Sequence, residues 1–313
     1  MVDRQLAIET DLTDLSANAW MGAVDELCEE FGFFEQLGQT HFAGFLEAGN
    51  NLLVTFENAP TVQARNANAE PRGFAYARHD GWSHLALFST QESWFRDEAV
   101  YDFFDRMVDD GFFEDFAKII FHGGDGGAAY AAAAFSVSAP GSTVIALRPQ
   151  ATLDATIAGW DGRYLAARKY DFRGRYGYAP AMIEAASDVF IAYDPIQRID
   201  ACHAALFLKP HVTALPCPLL GTALDQAFDR MGIHDILIKL AMDNALDRKR
   251  FVQLLRARRY DLSYVRALVR RLVRTGHPRL AVIICDYMLR RGHDAFFTEK
   301  RAELIAVGDG QTQ

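Results

Sequence analysis

The chain has 313 residues, half of them hydrophobic, and a formal net charge of −9 at pH 7. That is enough apolar material to bury a large core, in one domain or a domain with an appendage. No apolar run approaches the roughly 20 residues that span a bilayer, and MVDRQLAIETDLTDL carries acids where a signal peptide carries a basic and then an apolar region, so a globular, cytoplasmic protein with no membrane partner is expected.

Residues 12 to 38 place Leu15, Ala19, Met21, Val24, Leu27 and Phe31 at mostly three- and four-residue spacings, which predicts one or two amphipathic helices and a helical N-terminal cover over 1–47. Short apolar runs typical of buried strands follow: LLVTF (52–56), HLALF (84–88), KIIFH (118–122), TVIAL (143–147), VFIAY (189–193) and VTAL (212–215). Helical patterns separate most of them, namely VYDFFDRMV (100–108), the Ala-rich stretch after KIIFH, PAMIEAA (180–186) and IDACHAALF (199–207). Strands alternating with helices predict an α/β domain over 48–232 whose mostly parallel sheet is covered on both faces.

From about Leu224 to Leu304 the strand signals stop. DILIKLAMDNAL, RKRFVQLLRARRY, SYVRALVRRLVRTG and RLAVIICDYMLRRG read as consecutive helices, with Gly276 and Gly292 as C-terminal caps, and form an all-α extension over 233–313. The near-repeat of VRRLVRTGH in YMLRRGH, sixteen residues on, gives it a loosely helical-repeat character. Its helices are expected to pack on the α/β domain through Ile236, Leu237, Leu240, Leu254, Val265, Leu268, Leu272, Val282 and Ile283. Between Arg248 and Arg301 there are 15 Lys or Arg and four acids, a net +11 that leaves −20 on the rest of the chain. This polarity suits docking of an acidic protein partner, including the acidic body of a second copy, through Arg256, Arg259, Arg266, Arg270, Arg271 and Arg274. Nucleic acid is not expected, because the acidic remainder repels a polyanion.

The stretch most suggestive of chemistry is FHGGDGGAAYAAAAF (121–135). KIIFH runs into GGDGG and then a helix, so the loop lies at the C-terminal edge of a parallel sheet, where open α/β folds place their sites. Gly123-Gly124-Asp125-Gly126-Gly127 fits a strand-to-helix elbow of the form G-x-nucleophile-x-G with Asp at its centre, the glycines being needed because side chains would clash in so tight a turn. Together with the strand order and with Asp194 closing VFIAYDP before one more strand, this resembles the α/β-hydrolase superfamily over roughly residues 48–232.

The resemblance implies a sheet of α/β-hydrolase type, a catalytic set of Asp125, Asp194 and His203, and an oxyanion or ligand loop of Gly123, Gly124, Gly126 and Gly127. Asp125 replaces the usual Ser, as in haloalkane dehalogenase and epoxide hydrolase relatives, and Asp194 takes the place of the triad acid. The base departs from the pattern. Thr222 in PLLGTAL stands where Gly-His is expected, His203 falls in a helical pattern, and His211 falls at the wrong end of its strand. An elbow without a base cannot readily turn over a covalent ester. Asp125 therefore remains open as nucleophile, ligand contact or turn residue.

WFRDEAVYDFFDRM, the Ala-rich helix, SAPGSTVIALRPQATLD and AYDPIQRIDACHAALF further resemble a group of bacterial proteins, some of which carry a phosphoadenosine phosphosulfate reductase label. HGGDGG nevertheless lacks the serines of the reductases' SGGxDS loop, and Cys285 lies within a helical pattern and not in a short C-terminal motif. No cofactor or metal is expected: Cys28, Cys202, Cys217 and Cys285 form no CxxC pair, and His122 with Asp125 lacks a third ligand. A phosphate on the glycine loop would find no Lys or Arg within it. WDGRYLAARKYDFRGRYGY (160–178) is either a cap over the sheet edge, with His122, Trp160, Arg163 and Arg168 contacting an anionic or planar ligand, or a connection between two strands. The favoured expectation is a catalytically degenerate hydrolase-like protein that binds a small ligand or a protein partner at the C-terminal edge of the sheet. An active hydrolase using Asp125, and a nucleotide-binding protein of sulfur assimilation, are the alternatives.

Overall fold

The structure is a computed structural model that describes residues 6–8, 11–65, 68–292 and 294–310. Its strands are β1 (Gly32–Leu37), β2 (His41–Leu46), β3 (Asn51–Asn58), β4 (Ser83–Ser89), β5 (Lys118–Gly123), β6 (Thr143–Leu147), β7 (Asp188–Tyr193) and β8 (Val212–Pro216). The helices begin with α1 (Ala17–Phe31), α2 (Ala59–Arg65), α3 (Arg72–His79), α4 (Glu98–Asp109), α5 (Gly126–Phe135), α6 (Ala155–Ala158) and α7 (Ala179–Met182). They continue with α8 (Arg198–Leu206), α9 (Leu224–Arg230), α10 (His234–Met242), α11 (Arg248–Leu254), α12 (Leu262–Arg274), α13 (Pro278–Leu289) and α14 (Ala295–Gly310).

The strands form one sheet in the order β1-β2-β4-β3-β5-β6-β7-β8, with β2 running against the rest, which is the α/β-hydrolase type of sheet. Side chains alternate between its faces. Val54, Phe121, Val144 and Val189 lie in register on one face, against α4 and α5. Leu53, Ile120, Ile145, Phe190 and Leu215 point to the other, against α9, α10 and α11. Both faces are dry, so these strands read as unbroken apolar runs.

All six sequence-predicted strands are present, and the hairpin β1–β2 is an addition. The helical periodicity of residues 12–38 is real only through Phe31; Gly32 starts a strand that pairs with β2 and extends the sheet, with Gly38 in a left-handed turn (φ 65°) between them. At the other end α10 and α11 belong to the main core, where Leu237, Leu240 and Leu254 pack as expected. Val265, Leu272 and Val282 instead join Val269, Cys285 and Phe297 in a separate core of α12–α14, and Ile236 and Ile283 are exposed. No helix among the described residues is long and apolar enough to cross a membrane.

Candidate functional site at the elbow after β5

β5 ends at Gly123 and α5 starts at Gly126, so the elbow lies where the sequence puts it. Its geometry shifts the centre by one residue. Asp125 is extended (φ −164°, ψ 153°), and the left-handed position is Gly126, at φ 53°. The strain of such a turn falls on its central residue, which here is Gly126 and carries no side chain. Counted from it, the small flanking residues are Gly124 and Ala128. Four glycines in five positions admit either alignment by eye.

The remaining glycines answer to close approaches. A Cβ on Gly123 would sit 2.1 Å from the Ala128 carbonyl oxygen, and one on Gly124 would sit 2.8 Å from the Asp225 carboxyl carbon. Gly127 lies against Trp94, which would be 3.3 Å from its Cβ.

Asp125, Asp194 and His203 each have other partners and do not assemble as a triad. Asp125 Oδ1 accepts from Arg148 Nε at 2.6 Å, and about a third of its side chain reaches solvent. Burial, only partly offset by Arg148, pushes its carboxyl up to about 6. His203 is fully buried; its Nδ1 accepts the Ala151 N–H at 3.1 Å, and its Nε2 donates to Asp161 Oδ2 at 3.0 Å. Both ring nitrogens are committed, and burial holds the ring below the ordinary imidazole range in spite of Asp161. Asp194 accepts from Ile196 N (2.9 Å) and Gly221 N (2.8 Å). Asp194 directly follows β7, and its carboxylate grips the backbone of the loop after β8 at Gly221, one residue before Thr222, where the resemblance leads one to expect a base. His211 Nε2 donates to the Ile183 carbonyl at 2.9 Å, away from the elbow.

The aromatic, arginine-rich segment does close over this edge, but its arginines serve its own shape. Arg163 bonds Asp161 Oδ2 at 2.8 Å and Asp200 Oδ1 at 2.5 Å. Arg168 donates to the carbonyls of Ala158 (3.0 Å) and Asp161 (2.8 Å). Arg148 adds Tyr164 Oη at 3.1 Å. Trp160 is 45% exposed and lies 4.5 Å from the His203 ring. Four non-glycine residues with left-handed backbone surround α5: Trp94 (φ 58°), Phe95 (55°), Arg148 (58°) and Tyr176 (58°). Trp94 packs on Tyr164 at 4.9 Å, and Tyr130 Oη donates to the Tyr176 carbonyl at 2.6 Å. Each such residue costs of order 1–3 kcal/mol, and such strain concentrates at functional sites.

His122, expected on the ligand loop, points to the opposite face, as the alternation along β5 with Ile120 requires. There it meets a cluster that sequence reasoning missed. His122 Nε2 is 3.0 Å from His234 Nε2 at the start of α10, and His234 Nδ1 is 2.8 Å from Asp229 Oδ1 and 3.3 Å from Asp225 Oδ1. Arg72, at the start of α3, reaches Asp225 (3.2 Å), Asp229 (3.0 Å) and Asp235 (3.8 Å), and Tyr76 Oη donates to Asp235 at 2.9 Å. Burial works to raise the Asp229 carboxyl, but the His234 hydrogen bond and Arg72 outweigh it and hold the group well below its usual range. The available sequence signal was Asp225 and Asp229, four apart on one face of α9, with His234 five residues on.

Solved structures with this kind of sheet include the capsule O-acetyltransferase of Neisseria meningitidis serogroup A, at 10% identity and a TM-score of 0.41 over 65% of this chain and 92% of that one. Est1E from Butyrivibrio proteoclasticus matches at 11% identity and a TM-score of 0.40 over 66% of this chain and 96% of that one. A putative esterase from Staphylococcus aureus matches at 11% identity and 0.39 over 77% and 98%. At such identities and TM-scores the likeness says nothing about activity. No family model and no curated protein matches the chain, and the resemblance to phosphoadenosine phosphosulfate reductases gains no support there.

Proposed function

We propose that this is a catalytically silent protein of α/β-hydrolase fold that binds a small ligand or a protein partner at the C-terminal edge of its sheet. The observation that carries the reading is Gly126: the one left-handed residue of the elbow has no nucleophilic atom. The dismantled base supports it, since both nitrogens of His203 are held by Asp161 and Ala151 and the acid Asp194 holds Gly221 N. The strained ring of Trp94, Phe95, Arg148 and Tyr176, together with the exposed face of Trp160, supports a retained binding role.

The test is direct. Purified protein should give no turnover of activated aryl esters above buffer and no labelling by serine-directed phosphonates; robust turnover or labelling sinks the reading. If turnover does appear and Asp125→Asn removes it, the hydrolase using Asp125 is the correct reading instead. Compounds that raise the melting temperature of the wild-type chain should lose that effect on Trp160→Ala.

A further inference from the structure

The cluster behind the elbow has the composition and geometry of a metal centre. His122 Nδ1 donates to the Ile145 carbonyl at 3.0 Å, and His234 Nδ1 donates to the Asp229 carboxylate at 2.8 Å. These outer bonds set both rings in the Nδ1–H tautomer and turn an Nε2 lone pair of each toward the other, 3.0 Å apart. Two such nitrogens at that distance call for a cation between them, either a proton, which makes one ring an imidazolium donating to the other, or a metal ion. One donor atom from each of His122, His234 and Asp225 converges within 4.8 Å of the others. Both imidazoles are buried, at 2% exposure.

We propose that His122, His234 and Asp225 bind a divalent first-row transition metal, zinc foremost, on the face of the sheet behind the elbow. Two imidazoles and one carboxylate form a ligand set for zinc, with bonds of about 2.0–2.2 Å and a fourth position left for water or another ligand. Tetrahedral bonds of that length separate donor atoms by about 3.3 Å, so the imidazole pair needs to open by only a few tenths of an ångström. Asp229 and the Ile145 carbonyl orient the rings from behind, as the outer partners of metal-bound histidines do.

Charge agrees. Among the described residues, Asp225, Asp229 and Asp235 all face the Arg72 guanidinium, and this surplus of carboxylates suits a dication. A pocket of about 310 Å³, lined in part by Arg72, Asp229, His234 and Asp235, adjoins the cluster on its solvent side. Gly124 is part of the design, because any side chain there would displace the Asp225 carboxylate. The proposal stands whether or not the elbow is silent.

The experiment uses the full chain with Cys202→Ser, which removes the exposed thiol, after stripping with a chelator. Zn2+ titrated in a calorimeter should bind at one equivalent, and Co2+ should give the intense visible bands of a tetrahedral nitrogen and oxygen site with no thiolate charge transfer. His234→Gln should weaken Zn2+ by at least a hundredfold, and Asp229→Asn by about 10–100-fold. Failure of the parent chain to take up either metal, an octahedral Co2+ spectrum, or unchanged affinity in these variants overturns the proposal. If His234→Gln does not fold, the parent Co2+ spectrum and the Asp229→Asn affinity decide it.

Discussion

At Gly126 the elbow's left-handed position carries no side chain, and on the proposed reading a hydroxyl placed there does not by itself create activity, since His203 is held by Asp161 and Ala151. Gly126→Ser should cost roughly 1–2 kcal/mol in urea denaturation, because a non-glycine residue must then hold φ near 53°. It should still show no burst with an activated aryl ester, since His203 is locked; a burst would mean that another base reaches the turn. His203 also anchors a second residue-scale prediction. Burial tends to raise the Asp161 carboxyl, but hydrogen bonds from Arg163 and His203 prevail and hold it at about 2. A carboxyl whose pKa is depressed on folding contributes stability that is complete above its unfolded value, about 3.9, and is lost as pH falls toward 2. Acid unfolding should therefore have a component between about pH 4 and pH 2 that Asp161→Asn removes, the variant also being less stable at neutral pH. An unchanged acid limb in the variant would show that Asp161 is not the group responsible. Asp125, Asp194 and the glycine loop were legible as positions in the sequence. The partners of Asp125, Asp194 and His203 were not, because Arg148, Gly221 and Asp161 reach them across loops that no periodicity links.

Among the elements, the strands that form the two-sided core announced themselves through continuous burial, while the edge hairpin did not. Phe33 and Phe34 continue the apolar spacing of α1, and only Gly32 breaks it; a Cβ there would lie 2.3 Å from the Phe45 carbonyl oxygen, so glycine permits the strand to cross at that point. The helix after the elbow shows the opposite case. Six alanines make α5 buried almost all round, and the helix can lie this close to the sheet only because β5 ends in glycine. Gly123→Ala must push α5 away from β5, since the new methyl would meet the Ala128 backbone. A loss of about 1–3 kcal/mol or more is expected in urea denaturation, against a few tenths for Gly162→Ser, where a Cβ meets open space and the backbone is not left-handed. A Gly123→Ala midpoint equal to wild type would mean that the helix has slack which the packing does not show. The C-terminal helices were legible as helices. Which of them belong to the main core was not, because an amphipathic stripe identifies a buried face without saying against what.

For the whole molecule the question is where the body ends and what its charge polarity is for. α10 and α11 bury Leu237, Ile238 and Phe251 in the main core, each worth about 1.5–3 kcal/mol on a total stability of about 5–15 kcal/mol. A chain ending at Gly232 should therefore lose its cooperative thermal transition, whereas one ending at Asp261, which keeps the Arg230–Asp261 pair, should melt close to the full chain. The reverse order would place the boundary before α10. Beyond Asp261 the bundle α12–α14 exposes Arg270, Arg271 and Arg274 on α12, and Leu280, Ile283 and Tyr287 on α13. If these cations dock a partner, the acidic body of a second copy is the one that their charge favours. Arg266 already spends its charge on Asp294, and the Arg270 guanidinium lies 4.9 Å from the Phe296 ring, so Arg271 and Arg274 are the freest contributors to docking. Association should be salt-sensitive, because surface charges separated by more than about 8 Å are screened at physiological ionic strength. Sedimentation at low salt should show a dimer that dissociates as salt rises, and reversing Arg270 and Arg271 to Glu should leave a monomer at both extremes. A dimer indifferent to salt and to the reversal would move the interface elsewhere, and tight duplex DNA binding at physiological salt would assign the basic face to nucleic acid.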